Sequence, residues 1–254
     1  MIDERIAERR AEVRQDRRRA RFRRTVFAVV ALLVVVALIL IERSPLVGLE
    51  EIQVTGTDRL DDAAVLAAAD LALGTSTLRL RLGSVEERVE ELPLVRSAKA
   101  YRLDPLTVAI DVVEREPALV ATDGDVARLV DRDGVVIADG DIEGVPRIEL
   151  ADPPPAVGAG VGESPALANA HQVWRGLSGP LRAEVDVLAA AGPDELSLRL
   201  ERGIDVRFGR AQRVDEKVRA LGAILDDIDA EGADAQDVTV IDVRAPSAPV
   251  VIGR

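Results

Sequence analysis

The chain has 254 residues, 48% of them hydrophobic, which leaves room for a membrane anchor plus one or two modest domains with real cores and excludes a disordered chain. With no cysteine and His171 as its single histidine, it has no disulfide scaffold, thiolate nucleophile, cysteine zinc site or polyhistidine metal centre. The net charge of −12 divides unevenly: residues 1–24 carry ten Arg against five acids, whereas 25–254 hold 23 basic and 40 acidic side chains, so the bulk should repel nucleic acid and anionic membrane surfaces. Only Lys99 and Lys217 among the 33 basic residues are lysine, a bias ascribed to GC-rich coding.

Thr25 to Ile41 is a run of seventeen residues without charge, Gly or Pro. As a helix it spans about 26 Å, close to a hydrocarbon core once Arg24 and Arg43 snorkel, and it is read as one transmembrane helix in the lipid bilayer. The Arg cluster before it and the acidic sequence after it place residues 1–24 in the cytoplasm and the rest outside. A cleaved signal peptide is the rival, but Glu42-Arg43-Ser44-Pro45 offers no small-x-small site. The Arg-rich head is read as a solvated topology signal in preference to a lipid- or protein-binding element.

Residues 45–117 form the first unit. Ile52 and Val54 alternate before Gly56 and read as a short strand. A helix is predicted from Asp61-Asp62 to Leu73-Gly74, with Val65, Leu66 and Ala69 on its buried face. Ser84-Val85-Glu86-Glu87 reads as a capping box opening a second helix, with Val85, Val89 and Leu92 inward and Pro93 ending it. Val95 to Tyr101 and then Leu106, Val108, Ile110 and Val112 give two strands, the second covered on one face. The order β-α-α-β-β lets two helices cover one side of a three-stranded sheet.

This unit resembles a POTRA (polypeptide-transport-associated) domain. The serial motifs I-x-V-x-G (52–56), L-P-L-V-x-S-A (92–98) and R-x-x-P-x-T-V-x-I-x-V-x-E-R-x-P (102–117) resemble the bacterial cell-division family FtsQ/DivIB over residues 45–254. Leu94 and Asp104 depart from it, standing where that family commonly has aromatic residues near β turns.

In the second unit, residues 118–254, short strands are predicted at Leu119–Thr122, Val126–Asp131, Val135–Ala138 and Val145–Ile148. Asp152–Gly162 reads as a flexible surface loop, since its glycines lack the Lys-Ser/Thr of a phosphate loop. Ser164-Pro165 caps a helix burying Leu167, Ala170, Val173, Trp174 and Leu177. Strands follow at Glu184–Ala189, Leu196–Leu200 and through Ile204, Val206 and Phe208; a five-turn helix carries Val214, Val218, Leu221, Leu225 and Ile228; and strands at Val238–Val243 and Pro249–Ile252 finish the chain. The closing I-D-V-R-x-P-x-x-P-V-V (241–251) is similar to the β-domain of the same family. The expected fold class is α+β: a transmembrane helix, a POTRA domain and a mixed, mainly antiparallel β-domain with packed helices.

No catalytic, metal or cofactor site is expected. Asp131 and Asp133 flank a turn, Asp226, Asp227 and Asp229 close a helix on its polar side, and His171 reads as a helix-boundary residue with no serine motif near it. The last strand instead leaves Val250-Val251-Ile252 as a bare edge, suited to a partner that adds a strand; the alternative is internal pairing with the other edge shielded. The family resemblance implies docking of FtsB- and FtsL-like bitopic division proteins at Ser247, Ala248, Val250, Val251 and Ile252, with the septal synthase complex a further candidate partner. It implies a divisome scaffold of the septal cell membrane, single-pass type II, that controls septal peptidoglycan assembly without catalysing it, its POTRA unit helping recruitment to the division site. The rivals are a POTRA-type transport or chaperone component, which normally calls for tandem repeats and a barrel partner, and an anchored cell-wall hydrolase.

Overall fold

Alternating apolar side chains set the strands, and where alternation gives way to 3.6-residue spacing the chain turns into helix. The computed structural model describes residues 26–37, 48–231 and 238–253. Residues 26–37 are helical (α1) and exposed. Among the described residues no helix is long and apolar enough to cross a membrane; the predicted Arg-rich tail, and the predicted span at Thr25 and beyond residue 37, lie outside them.

The elements that follow are β1 (Glu51–Thr55), α2 (Asp62–Ala69), α3 (Leu82–Glu90), β2 (Val95–Arg102) and β3 (Thr107–Glu114), the predicted β-α-α-β-β order. The three strands form one sheet in the order β1-β3-β2, with β1 parallel to β3. By packing, the chain divides into two compact units: one runs to Thr55 and adds Asp62–Glu86 and Lys99–Asp111; the other holds Gly56–Asp61, Glu87–Ala98 and Val112–Arg254.

In the first of these, Leu49, Val65, Ala69, Val85, Val108 and Ile110 are buried. Leu66 is not: it lies a quarter turn from Val65 and Ala69 and faces water. Helix α2 is shorter than predicted, ending at Ala69 before Asp70 takes a positive φ. Ser84 caps nothing, because α3 already begins at Leu82; Glu86 instead accepts the Ala100 N–H at 2.8 Å. The guanidinium of Arg102 donates to the carbonyls of Thr77 and Leu80, holding a 3-10 turn that precedes α3. Strand β3 is buried on both faces at Thr107–Ile110, since a central strand hides its short Thr107 and Ala109 side chains among longer neighbours.

In the second unit Gly56 adopts a φ of +83°, and a Cβ there would collide with the Val112 carbonyl, so the final residue of the I-x-V-x-G motif must be glycine. The Glu114 carboxylate accepts the N–H groups of Asp58, Arg59 and Leu60 at 2.8–3.0 Å and pairs with the Arg59 guanidinium. Burial pushes Glu114 upward, but those donors and the Arg59 charge win, and its carboxyl sits below the usual range.

The large sheet contains β4 (Pro117–Thr122), β5 (Ala127–Asp131), β6 (Val136–Asp139), β7 (Arg147–Leu150), β8 (Val185–Gly192), β9 (Glu195–Leu200), β10 (Asp205–Arg207), β11 (Val238–Asp242) and β12 (Val250–Gly253). Its order is β12-β11-β10-β9-β8-β7-β4-β5-β6, parallel at β4/β7, β7/β8 and β10/β11 and antiparallel elsewhere. Helices α4 (Pro165–Gly176) and α6 (Val214–Glu231) supply Leu167, Val173, Trp174, Leu221 and Leu225 to a core completed by Ile148, Leu188, Leu198, Val206, Phe208 and Ile241. The cap-then-proline signal is met: Ser164 Oγ accepts the Leu167 N–H at 3.3 Å. A short helix α5 (Gly179–Glu184) precedes β8, opened by Ser178 at its N-cap and Pro180 in its first turn, a start the sequence reading passed over. Lys217, on α6, is 4% exposed and spends its ammonium on the carbonyls of Phe208 and Arg210, both at 2.8 Å.

Two readings change here. His171 is not at a helix boundary; it is buried within α4 with Nε2 3.2 Å from the Arg132 carbonyl, and desolvation lowers its pKa. Asp131 does form the turn read for it, and does so from inside: only 2% exposed, it accepts the Asp133 and Val135 N–H groups and pairs with Arg115 at 2.7 Å. Residues 158–161 are not a free loop: Gly158 donates to Val136, Val136 to Ala159 and Val161 to Gly134, at 2.8–2.9 Å. Gly134, at φ +87°, lies under both features, since a Cβ would stand 2.9 Å from Val161 Cγ2 and 3.0 Å from His171 Cε1. Gly134→Ala is therefore expected to destabilise the chain by about 2–4 kcal/mol through the left-handed φ and the overlap, read as a lowered thermal midpoint.

Candidate partner-docking edge

The five residues singled out by the sequence fall together within six consecutive positions. Ser247 and Ala248 lie in the exposed turn that leaves β11, where the Ala248 N–H bonds to the Ala245 carbonyl at 3.0 Å. Val250, Val251 and Ile252 form β12 and are 53%, 46% and 44% exposed. Three successive apolar residues on a strand cannot share a face, so both faces of β12 are open to water.

The strand is held from one side only. β11 pairs antiparallel with β12 (Val240↔Ile252, Ile241↔Val251, Asp242↔Val250) and parallel with β10 (Asp205↔Val240, Val206↔Ile241, Arg207↔Asp242). Ile241 and Val243 are fully buried, which anchors β11 in the core and offers β12 a fixed template. Among the described residues no strand pairs with the outer side of β12. Its backbone therefore presents donors and acceptors that in sheet edges are ordinarily covered or blunted by charge.

The opposite edge, β6, is treated differently. Ala159 and Gly158 bond to both main-chain groups of Val136, and Gly160 bridges to Val135. The chain itself covers this end of the sheet at Val135 and Val136, and among the described residues nothing comparable covers β12.

A clasp missed by the sequence reading sets the turn geometry. Arg244 donates its backbone N–H at 3.0 Å, Nε at 3.0 Å and Nη2 at 2.5 Å to the Asp242 carboxylate. The signal was present as an Asp and an Arg two residues apart at a strand end, a spacing that places both side chains on one side. Hydrogen bonding from the Arg244 side chain, against the opposing pull of burial, holds the Asp242 carboxyl below its ordinary range. Among the described residues no three His, Asp or Glu side chains gather to hold a metal ion.

A three-stranded POTRA-type sheet with two helices, followed by a mixed sheet ending in an open strand, defines an α+β protein of the POTRA-plus-β-domain class. The model of the FtsQ-type POTRA domain matches residues 47–115, and that of the FtsQ/DivIB cell-division protein C-terminal region matches residues 118–244. The chain belongs to the FtsQ/DivIB family of cell-division proteins. It is 31% identical to the cell division protein FtsQ of Mycolicibacterium smegmatis over 225 residues, covering 88% of the chain and 63% of that protein. The Mycobacteroides abscessus FtsQ is 30% identical over 209 residues (82% and 62%), and the Streptomyces griseus FtsQ 29% over 205 residues (80% and 95%). The chain thus spans just over six-tenths of the length of these mycobacterial relatives. The C-terminal match stops at Arg244, so the turn and β12 lie beyond it.

The Asp242 clasp has a defined pH window. Because its folded pKa is lowered from 3.8, its contribution is complete above that value, begins to fade below it and is lost as pH falls through the lower folded value. Amide-exchange protection of Val250–Ile252 should drop roughly two- to fivefold on acidification below pH 4, and Arg244→Gln should show the lower protection already at neutral pH.

Proposed function

We propose that the protein is a non-catalytic scaffold of the division machinery, anchored once in the membrane, whose β12 edge receives a strand from FtsB- and FtsL-like bitopic partners and so controls septal peptidoglycan assembly. The observation that carries this reading is the contrast between the two ends of the large sheet: β6 is covered at Val136 by residues 158–161, while among the described residues no strand pairs with the outer side of β12 and its three apolar side chains are exposed. A strand added there would gain main-chain hydrogen bonds and bury Val250, Val251 and Ile252, with Ser247 and Ala248 bordering the contact. Family membership supports the division role.

The topology within this reading is residues 1–24 in the cytoplasm, 25–41 across the bilayer, a POTRA domain at 45–117 and a β-domain at 118–254, with the bulk outside the cell membrane at the septum. The basic head, the uncharged run and the acidic remainder support it through the positive-inside rule.

Charged substitution at an edge strand is a direct test, since it opposes strand addition and costs an exposed site little. The double substitution Val250→Lys and Val251→Lys in the full chain should change folding stability by no more than about 0.5 kcal/mol. It should weaken co-purification of the FtsB/FtsL-type partners at least tenfold and abolish rescue of a depleted strain at normal membrane levels. Unchanged partner recovery from a stably expressed double variant would overturn the docking assignment.

A further inference from the structure

Trp174, the only tryptophan in the sequence, lies at the meeting point of two cavities in the large-sheet unit. One, of 430 Å³, is lined by Arg132, Arg175, Arg182 and Trp174 together with Glu116, Pro117, Ala118 and Asp133. The Arg182 guanidinium rests over the indole ring, 5.1 Å from its centroid, and is fixed there by Nη2 bonds to the carbonyls of Leu177 (2.9 Å) and Arg175 (3.3 Å). Its Nε is buried without an acceptor. Arg132 and Arg175 are exposed, and neither forms an ion pair with a described carboxylate, whereas most arginines elsewhere in this unit do. Asp133 in the same lining is itself paired with Arg96 and Arg115, so Arg132 and Arg175 stay available to a carboxylate brought from outside.

The second cavity, of 580 Å³, continues past Trp174 and Arg182 along Gly144, Val145 and Pro146 to the carboxylates of Asp186 and Glu201. The two cavities, which share Trp174 and Arg182, thus differ in charge: the first offers the unpaired Arg132 and Arg175, the second Asp186 and Glu201. A lone anion would use only the first part, and a uniformly anionic surface would be repelled by the last. From this difference in charge we infer that the paired cavities bind an extended peptide segment of a partner protein, with acidic residues at the Arg132/Arg175 end, small or apolar residues where the cavities meet beside Val145 and Pro146, and a basic residue toward Asp186 and Glu201. This site is separate from the β12 edge and does not depend on what docks there.

Because Trp174 is the single tryptophan, its fluorescence reads the groove directly. The full chain in detergent would be titrated with a capped EEAAAR peptide, its QQAAAR counterpart and inorganic phosphate. The expected result is a saturable change in emission with EEAAAR, at least tenfold weaker affinity for QQAAAR and for phosphate, and at least tenfold loss in the Arg132→Gln, Arg175→Gln double variant with an unchanged thermal midpoint. Val250→Lys and Val251→Lys should leave the response intact, which separates this site from the edge. Absence of a saturable change, an EEAAAR response that survives the double Gln substitution, or phosphate binding as tightly as the peptide would each overturn the inference.

Discussion

Nine strands laid side by side in an open sheet satisfy one another's main-chain groups everywhere except along the two outermost rows, and what happens to those rows governs much else in this molecule. At β6 the solution is internal. The glycine-rich stretch 158–161 folds back to bond Val136, which requires Gly134 to turn with a positive φ and His171 to lie buried beneath it. At β12 no such device is present among the described residues, and the core itself stops one strand earlier, at Ile241 and Val243. The covered edge and the open edge are thus two answers to the same hydrogen-bonding requirement.

Much of the architecture was legible because half-buried strands and capped helices leave local marks. Leu196, Leu198 and Leu200, and Ile204, Val206 and Phe208, alternate since each strand has one face on the core, and all six are buried. Ser164-Pro165 marked the start of α4 through side-chain and backbone chemistry that needs no tertiary contact. Signals that compete with tertiary contacts misled. Ser84 carries a cap motif, yet α3 starts a half turn earlier and Glu86 serves a strand instead. Asp131 looks like any turn aspartate until β5 carries it inside, where Arg115 meets it. The six residues of α5 are too few for a periodic pattern to register. At the edge itself, the unbroken run Val250-Val251-Ile252 lacked alternation for a physical reason: neither face of that strand has a core to meet.

The arginine excess acquires a structural use that composition alone did not suggest. Arg102 reaches the carbonyls of Thr77 and Leu80, Arg115 that of Val95, Arg182 those of Leu177 and Arg175, and Arg128 that of Pro154. A planar guanidinium can satisfy a carbonyl and a carboxylate at once, as Arg115 does with Val95 and Asp131, which an ammonium does with less directional control. Whatever the coding bias, these side chains tie loops and helix ends into the two units.

The two lysines have opposite surroundings. Lys217 is sunk against Phe208, its ammonium committed to two carbonyls and its pKa lowered first by burial and then by Arg213, whereas Lys99 stands in water on β2. Amine-directed reagents would therefore meet a single open lysine side chain, on the small sheet, and the large-sheet unit would be almost silent to lysine cross-linking however closely a partner approached it.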